Sequence, residues 1–231
     1  KKGQNQFKPG MRFAQQPALN YKGTMWSPGY SYEFFGGDCT YCIIPNEVME
    51  LGCLMEYHGR AYYEASLAEP MSCCIGAMHA CYHSEPGSYV HEMGIKKGGS
   101  MCALAAAGLG LIDYALHIEN HPSLLVVTDI NEERLSRARK FFPTEEYAKI
   151  GITIRFENTS AIADVSAYLL QFSPLGYDDV FCMAPIASIC ELSSSILGKD
   201  GCLNFFAGPT DKQFSASLNY YNVHYNANHV I

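Results

Sequence analysis

The sequence predicts an α/β protein: a Rossmann-type, doubly wound parallel sheet joined to part of an irregular β-rich domain. Three observations predict it. Apolar runs alternate with amphipathic stretches from Met101 to Ala207. A glycine turn follows the first of these runs, and an acid closes the second. Residues 1–68, in contrast, are rich in Gly, Pro and aromatics and hold only short strand-like runs.

The elements follow in order. In the first region strands are expected at Met11–Gln15, Asp38–Ile44 and Val48–Leu51, with turns at Lys8-Pro-Gly, Ser27-Pro-Gly and Gly36-Gly-Asp. Pro tolerates a helix start, where its missing N–H has no partner to lose, so Glu69-Pro70 opens a helix over Met71–His83. Ser84-Glu-Pro-Gly87 ends it. Strands are then expected at Met101–Ala107, Leu124–Thr128, Ile152–Phe156, Asp178–Met183 and Cys202–Ala207. Between them lie helices at Leu109–Asn120, Asn131–Phe142, Ile162–Phe172 and Ala187–Leu197, each with an apolar face at helical spacing. Such alternation gives a parallel sheet covered by helices on both faces. Leu218–Ile231 reads as strand-like, returning to the first domain. The expected division is 1–83, 84–209 and 210–231. Lys1-Lys-Gly-Gln opens, and Asn228-His-Val-Ile231 closes, as though both ends were cut from something longer.

Composition narrows the function classes. The 231 residues carry a formal charge of −7 and no run of Lys or Arg. That argues against nucleic acid and anionic membrane as partners. No secretory signal is visible, and no apolar run reaches the roughly 18 residues of a membrane span. The cytoplasm is the simplest compartment. The ten cysteines are scattered, and most lie in apolar runs where a reduced Cys packs as a small hydrophobe.

The chemistry-bearing stretch is Ser100–Lys140. Gly108-Leu-Gly110 lies between a strand and a helix, as the phosphate turn of a dinucleotide half-site does. The glycines let backbone approach a pyrophosphate, and the helix N-terminus offers N–H groups and positive potential. Asp129 follows Gly108 by 21 positions, close to the spacing of about 20 for the ribose-binding acid. A carboxylate there accepts from both ribose hydroxyls and repels a 2′-phosphate, which favours NAD over NADP. The other reading of Asp129 is an acid capping the following helix. The loop is three residues short of G-x-G-x-x-G. Arg134 could stack on adenine or pair with Asp129. Ala184, after the fourth strand, is a candidate backbone contact at the nicotinamide end. Cys39-Thr-Tyr-Cys42 spells C-x-x-C without a second pair, and a strand there would turn its two thiols to opposite faces. His79 and His83 are i, i+4 on the expected helix and could face a metal, or pack among its small apolar residues.

Several further segments carry a family resemblance. They are Leu67-Ala-Glu69-Pro70-Met-Ser-Cys with His79-Ala80, Gly98-Gly99, Val127-Thr-Asp129-Ile-Asn-Glu-Glu-Arg134-Leu, Asp178-Asp-Val-Phe and Asp200-Gly-Cys-Leu-Asn-Phe-Phe-Ala-Gly208. In this order they resemble the medium-chain, zinc-dependent dehydrogenases. Ser27-Pro-Gly-Tyr-Ser-Tyr-Glu-Phe-Phe-Gly-Gly, Ile43-Ile-Pro-Asn-Glu-Val-Met-Glu-Leu and Tyr221-Asn-Val-His-Tyr-Asn look like the sorbose-1-phosphate reductase branch.

The resemblance implies a GroES-like catalytic domain ahead of the Rossmann domain, NAD(P)-linked hydride transfer to or from a ketose, ketose phosphate or polyol, and a catalytic zinc. In the polyol branch the Glu of Glu-Pro is a zinc ligand, and that role maps onto Glu69. Without the resemblance, Glu69 is an acid suited to the first turn of a helix. The family's Gly-His-Glu motif does not occur in this sequence. The family also has an insertion after the position of Gly108. Relatives pair the last strand's edge, here Asn204–Ala207, with a second subunit, which implies a homo-oligomer. Two rivals remain at this level: a Rossmann methyltransferase, which also grips a ribose with a strand-end acid, and a non-catalytic nucleotide-binding relic.

Overall fold

The computed structural model describes residues 6–37, 39–85, 87–105 and 108–231. The chain forms two compact units, one extending to Ser72 and one from Cys73 to Ile231.

The first unit contains β1 (Phe13–Gln15), α1 (Pro28–Ser31), α2 (Asn46–Glu50), β2 (Leu54–Glu56) and α3 (Tyr62–Ser66). β1 and β2 pair antiparallel, with Ala14 opposite Met55. A small core joins Leu19, Phe35, Val48 and Leu54. Two expected strands are corrected. Residues 39–44 run without strand pairing; Asp38 lies outside the described residues. Val48–Leu51 belongs to a helical turn, not a strand. Pro45 is extended just before α2 and Glu47 sits in its first turn, a start signal that outweighs a short apolar run.

α4 (Ala68–Ala80) crosses the boundary between the units. It begins three residues before the expected start, with Pro70 in its first turn, and it stops before His83. His83 lies instead in β3 (Tyr82–Ser84), which pairs antiparallel with β4 (His91–Met93). His79 and His83 therefore share no helix face. His79 bonds the Tyr114 hydroxyl at 2.8 Å.

The second unit is the expected alternation. It comprises β5 (Ser100–Leu104), α5 (Leu109–His117), β6 (Leu124–Asp129), α6 (Glu132–Phe141), α7 (Thr144–Ala148), β7 (Thr153–Asn158), α8 (Val165–Leu170), β8 (Tyr177–Cys182), α9 (Ala187–Ser195) and β9 (Leu197–Phe205). α10 (Tyr220–Tyr225) and β10 (His229–Val230) complete it. The sheet order is β10-β9-β8-β5-β6-β7, all parallel. The chain thus builds outward from β5 in one direction, then returns to build in the other. One face packs Cys102, Leu104, Val126, Val180 and Leu203 against Leu169 of α8 and Cys190 of α9. The alternating residues Met101, Ala103, Leu125, Val127 and Phe181 are buried too, so both faces are covered. Each fully buried aliphatic side chain contributes about 1.5–3 kcal/mol.

One close approach fixes the β8–β9 edge. Gly176 has φ +88°, and a Cβ there would lie 2.3 Å from the Gly198 nitrogen. Only glycine fits.

The C-terminal expectation changes. Tyr220–Tyr225 is helical, capped by the Asn219 side chain, which accepts from the Tyr221 and Asn222 amides. β10 joins the six-stranded sheet beside β9, with His229 opposite Cys202. The outer edge of β9 is thus occupied by the chain's own residues, and Phe205 N–H donates to the Ile231 carbonyl. The Asn204 edge expected to face a second subunit is not open at those positions. No helix among the described residues is long and apolar enough to cross a membrane.

Candidate functional site

The sheet reverses its building direction between β5 and β8, and a crevice at the carboxyl ends of such strands is where open α/β sheets bind ligands. The expected residues Gly108, Gly110, Asp129, Arg134 and Ala184 all fall at or near these strand ends.

β5 ends at Leu104, and Ala105 follows with φ +61°. This left-handed conformation favours glycine, and a non-glycine residue held in it stores strain of the kind found at ligand sites. The turn begins here, ahead of the glycines. Ala106 and Ala107, read as the end of the strand, lie outside the described residues. Gly108 is the residue before α5, with φ −82° and ψ 82°, and its carbonyl accepts from Leu111 N–H at 3.1 Å. A Cβ there would make a tight contact, 3.1 Å from Met183 Cε, the end of a flexible side chain. Gly110 lies inside the first turn of α5. The leading N–H groups of a helix have no partner within it, so this turn presents donors at the crevice.

Asp129 ends β6 and is only 3 % exposed. Oδ1 accepts from the Asn131 amide at 2.9 Å. Oδ2 has no hydrogen-bond partner among the described residues. The helix cap is supplied instead by Asn131, whose side chain accepts from the Glu133 and Arg134 amides. A buried acceptor oxygen left without a donor is costly. Arg134 Nη1 stands 3.7 Å from that oxygen with its side chain 59 % exposed. The pairing with Asp129 is therefore the geometry that forms.

Ala184 follows β8 and is half-buried. Its carbonyl accepts from Ile186 N–H at 2.8 Å and from the Cys182 thiol at 3.4 Å, so that oxygen is already engaged in its own turn. Met183, which sequence reasoning passed over, is the side chain that meets Gly108. No one-dimensional signal joins residues 75 positions apart. The register of β5 with β8 does so, and Met183 N–H donates to the Leu104 carbonyl at 3.0 Å.

Glu69 sits in the first turn of α4 and lines a cavity of about 470 Å³ with Cys39, Cys42, Tyr62 and Ser66. Cys39 and Cys42 are not turned apart, as a strand would have placed them. Burial raises the Cys42 thiol, and the neighbouring Cys39 thiol adds to the rise through its charge and a hydrogen bond. A zinc site needs three or four ligand atoms around one point. Among the described residues no such group includes Glu69; the one metal-competent group lies elsewhere, at Cys81, Asp179 and Cys202. Among the described residues, Glu69 therefore stands as a single candidate ligand and no complete catalytic zinc site is formed.

No protein-family model matches the chain. The chain is 49 % identical over 231 residues to a mannitol-1-phosphate 5-dehydrogenase of Aliivibrio fischeri, covering 98 % of this chain and 54 % of that protein. It is 45 % identical over 234 residues to an L-sorbose 1-phosphate reductase of Klebsiella pneumoniae, covering all of this chain and 56 % of that one. The chain thus spans about half the length of the curated relatives it matches. Among solved structures it is similar to an oxidoreductase/dehydrogenase of unknown specificity from Escherichia coli, with TM-score 0.60 and 18 % identity over 97 % of this chain and 60 % of that one. It is also similar to an alcohol dehydrogenase zinc-binding domain protein from Burkholderia ambifaria, with TM-score 0.56 and 14 % identity over 77 % of this chain and 42 % of that one. The fold is that of the medium-chain dehydrogenases. Within that class the chain resembles the sugar-phosphate dehydrogenases and reductases, as the residue motifs indicated.

Proposed function

We propose that the full-length protein is an NAD(P)-linked, zinc-dependent oxidoreductase acting on a sugar phosphate, interconverting a ketose phosphate and its polyol phosphate. The observation that carries the cofactor half of this reading is the buried Oδ2 of Asp129, which accepts no hydrogen bond among the described residues, at the strand end beside the glycine turn. The names of the relatives support the substrate class.

In this reading α5 sets its leading N–H groups against the pyrophosphate, and Gly108 keeps the turn free of a side chain. Asp129 Oδ2 accepts from a ribose hydroxyl, and its charge disfavours a 2′-phosphate, so NAD is preferred over NADP. Arg134 lies on the rim of the same pocket. Ala184 and Met183 border the nicotinamide end. A nicotinamide bound there would supply or take up hydride at C4, so that ketone, NADH and a proton give alcohol and NAD⁺. A zinc ion would polarise the substrate oxygen. Glu69 contributes one ligand, and residues beyond this chain supply the rest. The partner is a second copy of the chain through the outer edge of the sheet, which β10 and not Asn204–Ala207 forms. The compartment is the cytoplasm, whose reducing conditions suit its buried thiols.

The test is titration of NADH and NADPH into the full-length protein and its Asp129→Ala variant, followed by ketose-phosphate reduction. NADH binding that weakens in the variant supports the reading. Unchanged binding, or binding of adenosylmethionine in place of both nucleotides, overturns it.

A further inference from the structure

A second cluster of chemistry-bearing side chains lies within the Cys73–Ile231 unit, away from the carboxyl ends of the strands. Asp179 enters early in β8, and its register partner on β9 is Cys202. The two side chains therefore stand side by side on one face of the sheet. Cys81, between α4 and β3, is directed to the same place. All three residues are buried, and one ligand atom from each lies within 4.8 Å of the other two.

The environment is built for charge. His83 Nε2 meets Asp179 Oδ1 at 3.0 Å, and its Nδ1 meets the Asp200 carbonyl at 3.0 Å. The ring is thereby fixed between two acceptors. Asp179 Oδ2 accepts from the Lys96 amide at 2.9 Å. Each carboxylate oxygen keeps a lone pair beyond that bond. A hydrogen bond joins the Cys81 and Cys202 thiols.

We propose that Cys81, Cys202 and Asp179 bind a zinc ion in a structural site separate from Glu69 and from the cofactor crevice. Two thiolates and a carboxylate match the ligand preference of zinc among common divalent cations. The second oxygen of Asp179 or a water fills the fourth position. Binding displaces one proton from each thiol to solvent. His83 bonds Asp179 Oδ1 from outside the ligand set. An outer partner of this kind fixes a ligand's orientation. The ion would tie the end of α4 to strands β8 and β9. This assignment does not depend on the proposed dehydrogenase activity.

The test uses full-length protein, zinc analysis and cobalt(II) substitution. Cys202→Ser and Asp179→Asn should each bind metal at this site about 10–100-fold more weakly. Cys202→Ser should also lose thiolate-to-cobalt charge-transfer absorption, whereas Glu69→Ala should retain it. Equal metal content and equal absorption in a folded Cys202→Ser variant would overturn the assignment. If that variant does not fold, the wild type decides. Alkylation of Cys81 and Cys202, mapped by peptide mass, should be slower with zinc than after chelation. Equal rates, or a Cys81–Cys202 disulfide in the purified protein, would overturn it.

Discussion

The two units of this chain hide apolar surface by different means. From Cys73 onward, six parallel strands form one sheet whose central strands carry buried residues on both faces, and backbone ladders join every neighbour. Before Ser72, one ladder joins two three-residue strands, and much of the order comes from single side chains. Arg12 illustrates this: its Nη1 donates to the Gly59 carbonyl at 2.9 Å, and its guanidinium lies over the Tyr62 ring at 5.1 Å. Glu64 accepts from Tyr57 and from the Arg60 and Ala61 amides. Where ladders are few, individual polar contacts set the local geometry. Where ladders are many, backbone spacing sets it.

The strongest way to break this contrast is at a backbone contact of the sheet. Gly176→Ala should destabilise the second unit by about 4 kcal/mol or more, because the added carbon meets backbone that cannot rotate away. Denaturant unfolding would show it, and a near-neutral result would mean the β8–β9 approach is looser than described. Asp129→Ala should leave unfolding nearly unchanged but weaken NADH binding by about 10- to 150-fold, the range for a charged hydrogen bond of about 1.5–3 kcal/mol. Fluorescence titration checks it, with NADPH losing less than NADH. Arg12→Ala should cost the first unit about 1.5–3 kcal/mol. Hydrogen exchange should quicken in residues 54–66 and stay unchanged in β5 and β6. Exchange that quickens equally in both units would erase the distinction between them.

Smaller effects sharpen the comparison. Asn131→Ala removes the α6 cap and should cost about 1 kcal/mol, read as a lower unfolding midpoint with an unchanged slope. The Glu132 carboxyl is held below its ordinary value of 4.5 by hydrogen bonds from Asn158 and Arg139. Its folded pKa is depressed, so its contribution is present above that value and is lost as pH falls through the folded one. Glu132→Gln should therefore flatten the acid limb of the stability curve slightly, with no change near neutral pH.

Legibility in the sequence followed the same division. Apolar runs located β5 to β8 within a few residues, because a strand with buried faces leaves a clear apolar run, whereas β9 begins at Leu197, before the expected start at Cys202. The spacing from Gly108 to Asp129 marked two strand ends that the sheet then set side by side. In the first region the runs are too short to separate strand from helical turn, and Val48–Leu51 was misread for that reason. The aromatic run at Tyr220 favoured a strand, yet the Asn219 cap made it a helix. The His83–Asp179–Cys202–Cys81 cluster had no signature, since its members are joined by register and not by spacing.

The sequence by itself determined the α/β class, the order of the sheet-forming segments and the acid that closes β6. Those properties are local: hydrophobic period, turn chemistry and a fixed helical spacing. Only the tertiary structure decided that Asp129 keeps one oxygen without a hydrogen bond, that Met183 bounds the glycine turn, that β10 covers β9, and that two distant thiols meet one carboxylate. Each depends on which strands become neighbours, and strand pairing is settled by burial of the whole sheet.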